Sequence, residues 1–582
     1  MKRAYYQEQY NTFNNEMIKV NKQSQLISLI RFIIFILFGA SLIITFYDQK
    51  LLFLIPSIIC FGIFLYLIVL HNKIEWQLNK LKASLAITED YLKRFDYQWQ
   101  DLANSELFVE EAGFIGKDLD LFGKNSLFQY LSLAKSKQGQ AQLFAALTSN
   151  KLSNNTAAIH ELALKQDLHL KLASYIRMYD SAKSDLVLND NNLLTNNERF
   201  IYQILANVYP IIILIMLLLV SLNILPLTYL IIMLLVNALI ILVRYKYNAK
   251  FLASILKNHD NLNVVVNVIN ELETEDFNCD KLKTIKATLT NDFKASNSIK
   301  KLVKLKERLE SQANALVYLL AELFLMWDYR NVLYFDKWKQ SYGKDAEQYL
   351  EIFYEIEMML SLGVVEQTKK IVCLPNIATS KTPYLMAKDL YHPLLNSASV
   401  VGNDFNGPSQ TTLITGSNMS GKTTFIRSVG INLILAYAGA AVCAKEFDVS
   451  LMKIFTSIRV EDNLNDGIST FYAEIKRIKE MVEYEKQEQP MLCLIDEIFK
   501  GTNSEDRIYG AQKAIEQLTN NHCLTFVSTH DAKLCELPKI VNYHFKEYYE
   551  NDELKFDYKI NEGISQTRNA QYLLKIAGII VD

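Results

Sequence analysis

The stretch "TTLITGSNMSGKTTFIRSVGINLILAYAG", residues 411–439, decides the fold of the C-terminal part of the chain. A short run rich in β-branched residues precedes the octet GSNMSGKT, and a helical apolar pattern follows it. The octet fits the pattern GxxxxGK[ST] in the strand–loop–helix context that a P-loop requires. Its glycines let backbone N–H groups approach phosphates, and the helix N-terminus favours an anion. The predicted nucleotide-binding residues are Gly416, Ser417, Asn418, Met419, Ser420, Gly421, Lys422, Thr423 and Thr424.

Chemical roles follow from this layout. Lys422 is predicted to reach the β- and γ-phosphates, and the hydroxyl of Thr423 to ligate Mg²⁺. Downstream, "MLCLIDEIFKGT", residues 491–502, is an apolar strand that ends in two carboxylates. We expect Asp496 to hold the metal ion, directly or through water, and Glu497 to polarise the attacking water. ATP and Mg²⁺ are therefore the predicted cofactors.

Two further segments extend the predicted catalytic site. In "LTFVSTHD", residues 524–531, a strand ends in His530, which we expect to sense the γ-phosphate. In "DNLNDGISTFYAEIKRIKEMV", residues 462–482, Ser469 precedes a helix whose N-terminus would offer N–H groups to a phosphate. By spacing alone, Ser469 is equally an ordinary helix cap.

The sequence pattern changes near residue 371. Residues 250–365 contain no proline and have helical periodicity, whereas the following residues alternate short apolar runs with turns, as in an α/β domain. Within the helical part, Lys300, Lys304 and Arg308 form a basic stripe. Such a stripe fits a solvated helix face, and also contact with nucleic acid or lipid headgroups.

A long apolar segment precedes this helical part. Residues 200–243 carry no charge over 44 positions. As one helix they would extend about 66 Å, whereas the hydrocarbon core of a bilayer is about 30 Å thick. Asn223 and Pro226 supply a turn, which predicts a hairpin with arms near 204–222 and 225–243.

A second apolar pair, residues 26–47 and 51–70, lies near the N-terminus. Two hairpins return the chain to one side, and that side carries nearly all flanking lysines and arginines. The positive-inside rule makes it cytoplasmic. We expect a multi-pass protein of the cytoplasmic (inner) membrane, held in the bilayer by four transmembrane helices, with the N-terminus and the ATPase domain in the cytoplasm. Buried helix pairs in a soluble core are the alternative.

The predicted fold class is therefore multidomain: transmembrane helical hairpins, an all-α core and a C-terminal α/β P-loop (ABC-like) ATPase domain. The total of 61 basic and 63 acidic residues gives no bulk signal for nucleic-acid binding. The predicted divisions are 1–25 (N-terminal segment), 26–70 (hairpin 1), 71–200 (linker and first part of the core), 201–246 (hairpin 2), 247–370 (second part of the core) and 371–582 (ATPase domain).

Several motifs in succession resemble the MutS family of mismatch-repair ATPases. They are "LYHPLL" (390–395), "VVGNDF" (400–405), "TGSNMSGKTT" (415–424), "DNLNDGISTF" (462–471), "LIDEIFKGTNS" (494–504) and "STHDAKLCELP" (528–538). Residues 121–150 also resemble the start of the helical core of that family. The loop departs from the family pattern at Ser417 and Ser420, where proline and glycine are usual.

The resemblance implies a homodimer with two composite ATP sites, with Ser469 reaching the γ-phosphate held by the partner. It implies that Asn418 contributes within the loop, that Val400 packs on adenine and that DNA is a partner. The mismatch-reading domain of the family has no room ahead of the core, where much of the sequence is apolar. "FVEEAG" at Phe108 copies a mismatch-reading motif only superficially.

Two functions remain open at this point. One is a membrane-anchored MutS-like ATPase coupled to DNA binding, in mismatch repair or the sensing of a DNA structure. The other is a membrane-bound ATP switch that acts on a protein partner or on the membrane. A transporter of the ABC class is disfavoured, because residues 465–471 read "NDGISTF" and not an LSGGQ-like signature.

Overall fold

The structure, a computed structural model, describes residues 2–48, 54–103, 107–182, 193–256, 259–291, 294–310, 315–408, 410–459, 470–499, 504–550 and 553–564. A mostly helical N-terminal part is followed by a C-terminal α/β domain. This coarse order is the predicted one and is confirmed.

The helical part contains fifteen helices among the described residues. They are α1 (Lys2–Asp48), α2 (Leu54–Phe95), α3 (Gly113–Asp118), α4 (Leu127–Leu131), α5 (Lys137–Thr148), α6 (Thr156–Leu164), α7 (Gln166–Arg177), α8 (Asn196–Gln203), α9 (Tyr209–Ser221), α10 (Leu227–Leu256), α11 (His259–Thr274), α12 (Asp280–Thr290), α13 (Ala295–Glu310), α14 (Ala315–Leu325) and α15 (Trp327–Thr368).

Helices α1 and α2 form one antiparallel pair along their full length. At the open end, Nε of Arg3 lies 2.9 Å from Oδ1 of Asp96. At the other end, the hydroxyls of Ser41 and Ser57 are 2.7 Å apart. From the first pair to the second, α1 advances by 38 residues and α2 goes back by 39, so the antiparallel register is kept to within one residue. With 47 residues, α1 is about 70 Å long.

Helices α9 and α10 form a second, shorter hairpin. One π-helical turn, Ile204–Val208, connects α8 to α9. The chain reverses between Ser221 and Leu227, where Asn223 adopts a left-handed conformation with φ of 56°. Asparagine tolerates that region better than most residues because its short polar side chain bonds locally. The turn therefore lies where the sequence placed it.

Four of the described helices are long and apolar enough to cross a membrane, by length and composition. They are Lys2–Ile44, Ile55–Phe95, Asn196–Ser221 and Leu227–Leu252. Their apolar side chains point away from the protein: Leu242 is 72% exposed and Ile43 is 71% exposed. Soluble monomers rarely expose apolar surface on this scale.

Helix α15 organises the rest of the helical part. Its buried Glu357 accepts hydrogen bonds from the backbone N–H groups of Lys135 and Ser136. Its Asp336, which is fully buried, pairs with Arg199 at 2.9 Å. A buried carboxylate is tolerated only when such partners compensate it. Helix α15 thereby holds two segments that precede the α9–α10 hairpin.

The α/β domain follows α15 and contains two sheets. Its strands are β1 (Asn376–Ala378), β2 (Tyr384–Leu390), β3 (Asn403–Pro408), β4 (Thr411–Thr415), β5 (Glu446–Ser450), β6 (Lys453–Ser457), β7 (Met491–Asp496), β8 (Cys523–Ser528), β9 (Ile540–Glu550) and β10 (Glu553–Glu562). Its helices are α16 (Lys422–Ala438), α17 (Thr470–Glu485) and α18 (Ser504–Leu518).

The larger sheet positions the candidate site. Its strand order is β10-β9-β4-β8-β7-β6, and all neighbours are parallel except β10 and β9. Every residue of β4, β7 and β8 is buried, as expected for central strands covered on both faces. Because β8 lies between β4 and β7, the carboxyl ends of these three strands adjoin. Ligand sites of open α/β sheets lie at such edges.

A buried ion pair joins the helical part to the α/β domain. Asp118, at the end of α3, is fully buried and lies 2.9 Å from Arg477 of α17. The same carboxylate accepts hydrogen bonds from the backbone N–H groups of Ile458 and Arg459, at 3.1 and 3.0 Å. All three groups come from the chain after residue 370, so Asp118 fixes α3 against the sheet domain.

The structure places two further features of the sequence, Phe108 and the basic stripe on α13. Phe108 stacks on Phe144 with ring centroids 4.7 Å apart, so it belongs to the apolar core. Lys300, Lys304 and Arg308 are all exposed on α13, as a solvated face or a contact surface requires.

Candidate active site

The glycine-rich loop joins β4 to α16. Gly416 has φ of 144° and Gly421 has φ of 115°, which side chains with a Cβ rarely adopt. A Cβ on Gly416 would also lie 3.0 Å from the carbonyl oxygen of Phe545. Both glycines are therefore required by the backbone path.

Lys422 is held inside this loop. Its Nζ donates hydrogen bonds of 2.6 and 2.9 Å to the carbonyl oxygens of Gly416 and Ser417. The side chain is 4% exposed. The loop thus surrounds a buried ammonium group at the N-terminus of a long helix, which is an arrangement that attracts an anion.

Thr423 and Asp496 meet across the strand ends. The Oγ1 of Thr423 donates a hydrogen bond of 2.8 Å to Oδ2 of Asp496. The other carboxylate oxygen of Asp496 accepts a short hydrogen bond from Ser528, at the end of β8. A hydroxyl beside a carboxylate provides the hard oxygen ligands that Mg²⁺ prefers. The donor set therefore fits the predicted metal.

Glu497 and His530 lie beside this pair. Nε2 of His530 is 3.5 Å from Oε1 of Glu497 and also 3.5 Å from Nζ of Lys422. The backbone of Glu497 is left-handed, with φ of 51°, and its N–H donates to Ser528. Strained backbone of this kind is concentrated at functional sites. The structure thus brings Lys422, Glu497 and His530 together, and a catalytic role for them stays a prediction.

Other predicted loop residues occupy different surroundings. Asn418, Met419 and Thr424 are exposed, and the side chain of Met419 is 85% exposed. Ser420 is buried, and its hydroxyl has no partner among the described residues. Ser469 lies outside the described residues, together with the rest of 460–469.

Glu547 is a site residue that sequence reasoning missed. It lies on β9, next to β4, and accepts a short hydrogen bond from the hydroxyl of Ser417. Burial raises the pKa of its carboxyl, and the nearby ammonium of Lys422 partly offsets that shift. The sequence contains no motif at Glu547. Only the pairing of β9 with β4 places it against the loop.

A cavity of about 590 Å³ opens beside the start of α16. Its lining includes Gly421 and Val400, the residue expected to pack on adenine. It also includes Tyr558 of β10 and Tyr97, which follows the end of α2. Its size and its mixture of aromatic and polar walls are typical of a small-molecule site. Tyr97 was not expected here, because more than 300 residues separate it from the loop.

Comparison with known proteins now identifies this domain. The model of MutS domain V matches residues 412–580, which include the glycine-rich loop, β7 and β8. The chain is 28% identical over 203 residues to the probable DNA mismatch repair protein Msh6 of Drosophila melanogaster. It is 31% identical over 221 residues to the DNA mismatch repair protein MutS of Chlamydia abortus, and 29% identical over 238 residues to that of Thermotoga petrophila.

These matches cover 34%, 35% and 38% of this chain, and 16%, 26% and 30% of the respective relatives. The C-terminal α/β domain matches MutS domain V, and the chain is similar there to proteins of the MutS family. The chain spans less than a third of the length of these relatives. The resemblance seen in the motifs is thereby confirmed for this domain.

Proposed function

We propose that this protein is a membrane-anchored ATPase of the MutS type. The observation that carries the proposal is the meeting of Lys422, Thr423, Asp496 and Glu497 at adjoining strand ends. Lys422 and the loop amides would bind the phosphates, and Thr423 and Asp496 would hold Mg²⁺. The metal would neutralise phosphate charge, and Glu497 would accept a proton from the attacking water.

Assembly as a homodimer would complete the site. Met419 on the loop exposes 85% of its surface, and Tyr472 at the start of α17 exposes 59%. Exposed apolar side chains of this kind favour contact with a second copy. Ser469 of one copy would then approach the phosphates bound by the other, as the family resemblance implies.

Hydrolysis is tested with the purified full-length chain. Wild-type protein should hydrolyse ATP in the presence of Mg²⁺, and Lys422→Ala should lose nucleotide binding. Lys388→Ala, at an exposed residue on β2, is the matched control and should leave turnover unchanged. Equal turnover in wild type and Lys422→Ala would refute the assignment.

The membrane anchor rests on the two helical hairpins and their exposed apolar surface. Full-length protein should remain in the membrane pellet after alkaline carbonate extraction. A cysteine at Asn223, in the turn between α9 and α10, should react with an impermeant maleimide added outside intact cells. A cysteine at Lys344, on α15, should not react. Release by carbonate would exclude an integral anchor.

The names of the relatives favour DNA as the target of the ATP cycle. The exposed stripe of Lys300, Lys304 and Arg308 offers a basic surface for a phosphate backbone. Homoduplex, mismatched and branched DNA should be compared with and without ATP over a range of salt concentrations. No binding to any of them at low salt would exclude a DNA-directed function.

A second candidate is an ATP-driven switch that moves the membrane helices themselves. Tyr97 favours it, because this residue both lines the cavity beside the loop and ends the α1–α2 pair. Spin labels at Lys73→Cys and Lys476→Cys should change separation when ATP binds to a Glu497→Gln protein. Tyr97→Ala should abolish that change. The accessible native cysteines Cys60, Cys279 and Cys373 would be replaced by alanine.

A further inference from the structure

A second polar cavity lies among the helices of the N-terminal part. Its volume is about 370 Å³, and it separates α2 from α5 and the end of α7. Its polar lining consists mainly of Asp90, Arg94, Lys135, Lys137 and Arg177. The side chains of Phe128, Leu102 and Leu107 form an apolar wall. The cavity thus combines charged and apolar surface, as small-molecule sites do.

The charges of the described residues that line this cavity do not balance. Four of them are cationic and one, Asp90, is anionic. Asp90 lies 3.4 Å from Arg177. Glu357 lies behind the wall, where it accepts hydrogen bonds from the backbone of Lys135 and from Ser136. Among the described lining residues, cationic side chains therefore outnumber anionic ones.

Arg94 carries the strongest indication of a ligand. It is 5% exposed, and its Nε donates a hydrogen bond of 2.8 Å to the carbonyl oxygen of Tyr130. Its guanidinium also lies over the rings of Tyr91 and Tyr130, at 5.4 and 6.0 Å. Its Nη1 is buried without a partner among the described residues. Arginine cannot lose its proton in a protein, so this buried charge calls for an anion.

Lys135 lies in the same electrostatic environment as Arg94. Burial lowers the pKa of its ammonium, the charge of Arg177 lowers it further, and Asp90 and Glu357 oppose both effects. An anion in the cavity would relieve this unfavourable field.

We propose that this cavity is a binding site for a small phosphate-bearing molecule about the size of a mononucleotide. Arg94, Lys135, Lys137 and Arg177 would bind the phosphates, and Phe128 with its apolar neighbours would contact the organic part. Arginine and lysine are the side chains that suit phosphate recognition.

The position of the cavity favours a soluble molecule over a lipid headgroup. Asp90 lies 20 residues beyond Leu70, where the apolar run of α2 ends. At 1.5 Å per residue, the cavity is about 30 Å from the end of that run. A headgroup in the bilayer surface cannot reach that far.

Inorganic pyrophosphate is a suitable probe of the phosphate subsite. The experiment uses full-length protein in detergent with the Lys422→Ala substitution, which removes phosphate binding at the loop. Millimolar pyrophosphate should raise Tm by about 3 °C relative to sodium chloride of equal ionic strength. A second arm, nanodiscs with an anionic phospholipid and no pyrophosphate, should leave Tm unchanged.

Matched variants make the outcome specific. Lys135→Met and Lys137→Met should each reduce the pyrophosphate-dependent shift by more than half, and Arg94→Met should abolish it. Lys344→Met, at an exposed lysine on α15, should retain it fully. Because Arg94 is buried, the two lysine variants decide the outcome if Arg94→Met does not fold. No shift in Lys422→Ala, or equal shifts in the lysine variants and Lys344→Met, would overturn the proposal.

Discussion

The hydroxyl of Thr423 donates a hydrogen bond of 2.8 Å to Asp496, across the gap between the carboxyl ends of β4 and β7. The two residues are 73 positions apart in the chain. Thr423 lies at the start of α16, Asp496 ends β7, and β8 lies between β4 and β7. Since both would ligate Mg²⁺, Asp496→Asn should lower ATP turnover at least about 100-fold. Turnover measured against Mg²⁺ concentration checks this, with Asp345→Asn on α15 as the control. Unchanged Mg²⁺ dependence would contradict it.

Glu497 is expected to act on water and not on nucleotide binding. Glu497→Gln keeps the shape of the side chain but removes its basicity. Turnover should therefore fall by about 10²- to 10⁴-fold while ATP still binds. Single-turnover hydrolysis and equilibrium binding measure the two effects separately. Glu505→Gln, at an exposed residue of α18, should behave as wild type.

Glu547 is expected to oppose nucleotide binding. Its buried carboxylate faces the loop through Ser417, so its negative charge repels phosphate. Glu547→Gln should tighten ATP binding about fivefold while preserving the hydrogen bond from Ser417. Because burial raises the pKa of Glu547, wild-type affinity should fall as pH rises through that pKa. The variant should lack this component of the pH dependence, and weaker binding in Glu547→Gln would contradict the prediction.

The sequence predicted the parts of the site that lie in continuous segments. Lys422, Thr423, Asp496 and Glu497 each belong to a short motif, because a strand end and the next few residues place their own side chains. Glu547 and Tyr97 could not be found in this way. Their positions depend on the pairing of β9 with β4 and on the length of α2, which are properties of the tertiary structure. The position of the turn in the apolar hairpin was predictable from Asn223 and Pro226, whereas α10 continues to Leu256, beyond the predicted arm.

Asp118 should be important for stability. The buried carboxylate of Asp118 pairs with Arg477 and also accepts hydrogen bonds from two backbone N–H groups. Asp118→Asn would therefore leave a buried guanidinium without its counter-charge. We expect the free energy of unfolding to fall by about 3–5 kcal/mol. Lys388→Met, which breaks the exposed pair of Lys388 with Glu446, should lower the free energy of unfolding far less, because water screens an exposed ion pair. Comparable losses in the two variants would contradict the buried pairing.

His169 and His392 should make the protein sensitive to acid. Both are fully buried, and burial lowers their pKa to about 4 and about 3. The ordinary pKa is 6.5, so the unfolded chain takes up these protons at a higher pH than the folded one. Stability is therefore complete above about pH 6.5 and falls as the pH decreases towards 4, by up to about 1.4 kcal/mol per pH unit for each histidine. Tm measured against pH should show this fall, and His169→Gln should reduce its slope. An unchanged slope would indicate that His169 is protonated in the folded state.

The unbroken register of α1 and α2 has a mechanical consequence. Two helices paired over the 42 residues of α2, about 63 Å, act as one stiff lever arm, with one end close to Tyr97 beside the cavity and the other near Asp48 and Leu54. A tilt of about 5° at the inner end would carry the far end sideways by roughly 5 Å over that length. A small rearrangement around the glycine-rich loop would therefore become a displacement of about half the width of a helix, without any change in the helices themselves.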